Sequence, residues 1–166
     1  MTGFESRFSL ASLIAVVALS FGTVAAQAAD RYTVSADGQE VLDSKTNLQW
    51  RRCAEGMSWD GKTCTGKATK YKLGDAKAHA AEQAKAAGKG WRVPNKDELA
   101  ALVDKSKKKP AIDTNAFPNT PADLFWALRP GFDDNLNAWL ISFANGKVYG
   151  NSGEKKIAVR LVRTND

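Results

Sequence analysis

The sequence predicts one α+β domain, with two helices lying between an N-terminal strand region and a C-terminal antiparallel sheet. Three observations carry that prediction. Apolar residues recur at helical spacing only between positions 73 and 103. Two turn dipeptides, Asp37-Gly38 and Asn145-Gly146, separate short runs of strand-forming residues. No segment repeats another, and a chain of 166 residues with 43% apolar and 25% charged positions has neither disordered nor collagen-like composition.

The first 28 residues differ from the rest. Leu10 to Ala26 carries no charge, is short of the roughly 20 apolar residues a bilayer span needs, and runs into Ala26-Gln27-Ala28, a small-residue cleavage pattern. Residues 1–28 therefore read as a signal peptide cut after Ala28, leaving residues 29–166 as the domain. An uncleaved anchor is the competing reading, and no basic stop-transfer cluster or lipid-accepting cysteine supports it. Cleavage removes one base, Arg7, and one acid, Glu5, so the surplus of +6 persists with 23 basic and 17 acidic groups. The product is expected in the periplasm or outside the cell, with no membrane span once the leader is gone.

In that compartment Cys53 and Cys64, the only cysteines, read as a disulfide. They enclose a glycine-rich run with Trp59 at its tip. The spacing is wrong for a redox-active pair, and two thiols with one distant histidine leave a zinc shell incomplete.

Tyr32, Val34 and Ala36 alternate before the Asp37-Gly38 turn; Val41-Leu42 and Leu48-Gln49-Trp50 follow as short strands. Leu73, Ala76, Ala80, Ala84 and Ala87 then mark the inner face of a first helix, with Asp75 as its N-cap and Gly88 as its stop. Its alanine face demands a close-packed neighbour. Asn95 and Glu98 form a reciprocal capping box for a second helix, with Leu99, Leu102 and Val103 inward, expected to run down to the lysines before Pro110. After a turn-rich stretch, strands return at Leu124–Leu128, around Trp139, and at 157–163, the last read as one interior strand.

The blocks Asp43 to Trp50, Gly90-Trp91-Arg92-Val93-Pro94-Asn95-Lys96-Asp97-Glu98-Leu99, Phe117-Pro118, Phe125-Trp126 and Val159 to Arg163 resemble the Lcl C-terminal domain family. The resemblance implies secreted bacterial domains of unknown function whose fold is similar to C-type lectins and to the sulfatase-modifying enzymes. It also implies affinity for sulfated polysaccharide, a property of the collagen-like adhesin from which the family takes its name. No collagen repeat occurs in this chain, so the resemblance speaks to fold before function.

Catalysis lacks obvious parts. His79 sits among alanines without a nearby serine or cysteine, and both thiols are committed to the clasp, so no catalytic residue and no cofactor is assigned. Asp133, Asp134, Asn135 and Asn137 concentrate oxygen ligands suited to calcium, but the Glu-Pro-Asn and Trp-Asn-Asp signatures of calcium-dependent lectins are missing. A solvated turn is expected there, and no metal is assigned.

Binding to a polyanion has firmer support in the charge. Lys105, Lys107, Lys108 and Lys109 form the densest basic patch, while Arg51, Arg52, Lys67, Lys70 and Lys72 flank the disulfide loop, where Trp59 could stack on a sugar. A helix end would itself explain lysines at 105–109. Trp50, Trp91, Trp126 and Trp139 are expected in the core. Arg92 and Arg160 interrupt apolar strands, so each is expected to meet a carboxylate such as Asp43 or Glu98, and Trp91, Arg92, Pro94, Glu98 and Arg160 are taken as structural. The expected function is a non-enzymatic secreted module for an acidic glycan or other envelope polyanion, with nucleic acid excluded as the physiological partner by compartment. The alternative is a periplasmic protein-interaction or accessory domain.

Overall fold

The computed structural model describes residues 30–129, 138–151 and 154–165. Residues 1–28, read from the sequence as a signal peptide, and the oxygen-rich run Asp133 to Asn137 lie outside the described residues.

Among the described residues, three small sheets and two helices form an α+β arrangement. The first sheet joins β1 (Tyr32–Val34), β2 (Glu40–Asp43), β3 (Leu48–Arg51) and β11 (Val162–Thr164) in the order β1-β2-β3-β11, all antiparallel. The end of the chain thus closes onto the hairpins near its start. Gly38 and Asn47 hold positive φ in the two turns, the conformation that glycine and asparagine tolerate best.

β4 (Met57–Trp59) and β5 (Cys64–Gly66) form a two-stranded hairpin clasped by the Cys53–Cys64 disulfide. Trp59 ends a strand, opposite Cys64, rather than occupying the tip, because Asp60 accepts from the amides of Lys62 and Thr63 and makes the turn itself.

The third sheet runs β6-β10-β7-β8-β9, from β6 (Lys70–Tyr71), β10 (Ile157–Ala158), β7 (Leu124–Leu128), β8 (Ala138–Ser142) and β9 (Val148–Asn151). One pair, β10 with β7, is parallel. The expected single strand over 157–163 is therefore two short strands in different sheets. Residues 157–162 are all buried and pass from one sheet to the other, which accounts for their near-continuous apolar character. The Asn145-Gly146 hairpin forms with a five-residue loop in which the Gly146 amide bonds the Ser142 carbonyl; Gly146 has φ of 73°, and a Cβ there would lie 2.8 Å from Val103.

Helix α1 (Leu73–Ala87) ends at Gly88 in the left-handed conformation as predicted, but its N-cap is Lys72, and Asp75 lies within the first turn facing the helix dipole. Leu73, Ala76 and Ala80 are buried, so the alanine face brings the helix close to the sheet. Helix α2 (Lys96–Ala100) has the full Asn95–Glu98 capping box but spans only five residues. It stops before the lysines because Asp104 binds the Ser106 amide at 2.9 Å and its hydroxyl at 2.6 Å, a local turn that competes with helix.

The β7–β8 pair divides two apolar clusters. Phe125, Ala127, Ile141 and Phe143 join Val41, Trp50, Leu99, Leu102 and Phe117 on one side. Trp126, Ala138 and Leu140 face Leu73, Ala76, Ala80, Trp91, Val93 and Leu161 on the other. Trp50, Trp91 and Trp126 are core residues, and Trp139 is half-buried with the Lys96 ammonium 5.4 Å from its ring.

Candidate functional site

The turn that follows α2 presents the lysines and borders a cleft beside β1. Lys105, Lys108 and Lys109 are exposed and meet no carboxylate among the described residues. Lys107 is half-buried, its ammonium 3.8 Å from Asp104 and 3.7 Å from Asp113. The segment is anchored at both ends: Asp104 N–H donates to the Ala111 carbonyl, and the Ala111 amide to the Phe143 carbonyl. The lysines consequently project from a fixed turn, and the helix-end explanation for their position falls away.

The cleft beside this turn holds about 490 Å³ between β1 and the walls formed by residues 102–105 and 113–116. Three carboxylates line it, Asp30, Asp104 and Asp113, against Arg31 and Lys105. Hydrogen bonds from Ser106 hold the Asp104 carboxyl below its ordinary range. Arg31 is occupied with Asp43, at 2.8 and 2.6 Å, and donates to the Ala101 carbonyl. Tyr32 meets Phe117 edge-on, and burial pushes its phenol up to about 12, so it remains a neutral hydroxyl.

In the second basic stretch the two arginines are turned inward, while Lys70 and Lys72 are exposed and ion-paired. The Arg52 guanidinium lies 3.9 Å over the Trp59 ring and donates to the carbonyls of Ala116 and Asn115. Gly38 packs so closely under Trp59 that a Cβ there would collide with the indole. Arg51 stacks on Trp91 at 4.6 Å, while Lys70 and Lys72 pair with Asp123 and Glu154. Lys67 remains exposed. These groups and the 105–109 turn therefore do not make one continuous basic face.

Among the structural residues, Arg92 meets Glu98 through two hydrogen bonds of 2.8 and 2.7 Å, as expected. Pro94 is buried and its carbonyl accepts from Leu128. Arg160 departs from expectation: it is fully buried yet forms no ion pair with a carboxylate among the described residues, though Glu55 lies near enough to favour its charge. It donates instead to the carbonyls of Arg51 and Arg52 and to the Thr120 hydroxyl, with its guanidinium over Phe117. Asp43, its expected partner, is held by Arg31 from the adjoining strand region.

Two further pairings had no signal in the sequence. His79 Nε2 lies 2.7 Å from Glu55, and its ring stacks on Tyr71. Glu40, buried at 7% exposure, accepts from Lys89 at 2.5 Å and from Arg163 at 2.9 Å. Both pairs join residues at least 24 positions apart, and no local spacing announces them. No cluster of three or more potential metal ligands occurs among the described residues. No helix among them is long and apolar enough to cross a membrane.

Residues 39–163 match the model of the Lcl C-terminal domain family. Comparison with curated proteins and with solved structures returns no match.

Proposed function

The chain belongs to the Lcl C-terminal domain family, and on that premise we propose that it is an exported, non-enzymatic binding module with the lectin-like form of the α+β fold. Its ligand is an acidic polysaccharide or another envelope polyanion, held on the 105–109 turn. The observation that carries this reading is the trio Lys105, Lys108 and Lys109, exposed on an anchored turn and unpaired among the described residues. Such ammonium groups stay hydrated in the free protein, so meeting sulfates or carboxylates along a polymer requires no internal ion pair to break. The net charge of +6 adds a long-range attraction of the same sign. Arg51, Arg52 and Trp59 are spent on internal contacts and contribute to the shape of the domain rather than to this surface.

Heparin and alginate binding measured over a salt series tests the proposal. The affinity is expected to fall about tenfold or more between low and physiological salt, because exposed charges are screened over about 8 Å there. The triple variant Lys105→Glu, Lys108→Glu, Lys109→Glu should lose binding while keeping its unfolding midpoint, and neutral dextran should not bind. Binding that ignores both salt and these substitutions overturns it. A second reading, an accessory domain that docks a protein, is favoured by a different feature, the acidic cleft beside β1.

A further inference from the structure

We propose that the outer edge of β1, together with the acidic cleft beside it, docks an extended basic peptide segment as an added strand. The inference gives a specific site and partner chemistry to the protein-docking reading; it shares Asp104 and Lys105 with the lysine turn but makes no use of Lys108 or Lys109.

The register decides which backbone groups are free. β1 is the outermost strand of its sheet, with Tyr32 opposite Asp43 and Val34 opposite Val41. The Ser44 amide bonds the Arg31 carbonyl and the Ser35 amide bonds the Glu40 carbonyl. In an antiparallel ladder such bonded positions alternate with outward ones, so Arg31, Thr33 and Ser35 face β2 while the N–H and C=O of Tyr32 and Val34 point away from the sheet. No hydrogen bond among the described residues reaches those outward groups. Tyr32 and Val34 also line the cleft.

Edge strands are ordinarily guarded by being short, by a lysine or proline, or by a bulge. β1 is short, but Tyr32-Thr33-Val34 carries no lysine, proline or bulge and consists of three residues of high strand propensity, with Val34 38% exposed. A peptide laid along this edge would satisfy four backbone groups at once, the mode of recognition used wherever a strand is added to an open sheet.

The cleft selects the charge of the incoming side chains. Three carboxylates line it against two cations, and one of those, Arg31, is already bound to Asp43. Asp104 and Asp113 also draw the Lys107 ammonium toward both of them, so this wall already accepts a lysine head group from the chain itself. A lysine or arginine on an added strand would share these carboxylates with Lys107.

The probe is a capped pentapeptide of alternating valine and lysine, added to the purified, disulfide-intact, 15N-labelled protein. The amides of Tyr32 and Val34 should shift and exchange more slowly with solvent. Two control peptides should fail: one N-methylated at alternate residues, which removes the strand donors, and one with glutamate in place of lysine. Val34→Pro deletes an outward donor without touching the β2 ladder and should weaken binding about fivefold, the value of one net backbone hydrogen bond. Asp104→Asn should weaken it by several-fold. The proposal is overturned if Tyr32 and Val34 are unaffected, or if either control peptide binds as well as the probe. Should Val34→Pro fail to fold, the N-methylated peptide decides the same point. The peptide is tested on the protein with Lys105, Lys108 and Lys109 intact, so loss of heparin binding in the lysine variant does not bear on this outcome, and the two proposals fail separately.

Discussion

Arg160 is a buried cation whose charge is spread over neutral acceptors: two backbone carbonyls, one hydroxyl and an aromatic face. Burial pushes its guanidinium down to about 9, which leaves it protonated at neutral pH. Its role is to tie the end of β3 to the 159–161 crossing and to Thr120. Arg160→Ala should lower the unfolding free energy by about 3 kcal/mol or more, since the acceptors lose charged hydrogen bonds and a cavity is left. Arg160→Lys should recover only part of this, because one ammonium cannot reproduce the planar fork. Urea unfolding measures both; a loss below about 1 kcal/mol for the alanine variant would mean water replaces these bonds. That an arginine within Ile157-Ala158-Val159-Arg160-Leu161-Val162 must be satisfied was legible in the sequence. That carbonyls would satisfy it was not, because backbone acceptors leave no mark on residue identity. Trp59 makes the same point, since its position beside a disulfide says nothing of the Arg52 guanidinium that covers it.

At the scale of elements, local signals were read well where they were short-range. The capping box at Asn95–Glu98, the left-handed stop at Gly88 and the Cys53–Cys64 pairing all act within eleven residues or fewer. The length of α2 was misread because the lysines before Pro110 imitate a helix C-terminus, while the Asp104 turn that ends the helical path depends on side-chain rotamers. Two consequences are measurable. Reducing the disulfide, or replacing both cysteines with alanine, should cost about 3 kcal/mol, because the unfolded chain regains the freedom of a loop closed at a sequence separation of 11. Asn95→Ala should cost about 1 kcal/mol through loss of the cap. Thermal or denaturant unfolding reads both.

For the whole molecule, stability against acid should draw on carboxyls in separate places, among them Asp43, Glu40 and Glu98. Burial alone would raise Asp43, Glu40 and Glu98. Arg31 offsets it for Asp43, Lys89 and Arg163 for Glu40, and Arg92 with the Asn95 amide for Glu98, so all three are held below their ordinary values. A carboxyl with a depressed folded pKa contributes stability above its unfolded value, near pH 4, and loses that contribution as the pH falls through the folded value. Stability should therefore be flat near neutrality and decline below about pH 4. Asp43→Asn should reduce stability at pH 7 and flatten that decline, as urea midpoints across pH 2 to 7 would show; an unchanged acid slope would remove Asp43 from the set.

Sequence by itself determined the α+β class, the two helices, most strand positions, the disulfide and the family, because periodicity, caps, turn dipeptides and paired thiols are written in neighbouring residues. Tertiary structure alone decided that the last strand divides between two sheets, that Arg160 meets carbonyls, that Arg52 and Trp59 serve each other, and that the outer edge of β1 is unpaired among the described residues, beside an acidic cleft. Each of these depends on which distant segments meet, and that is set by packing of apolar clusters from separate parts of the chain on both faces of the β7–β8 pair.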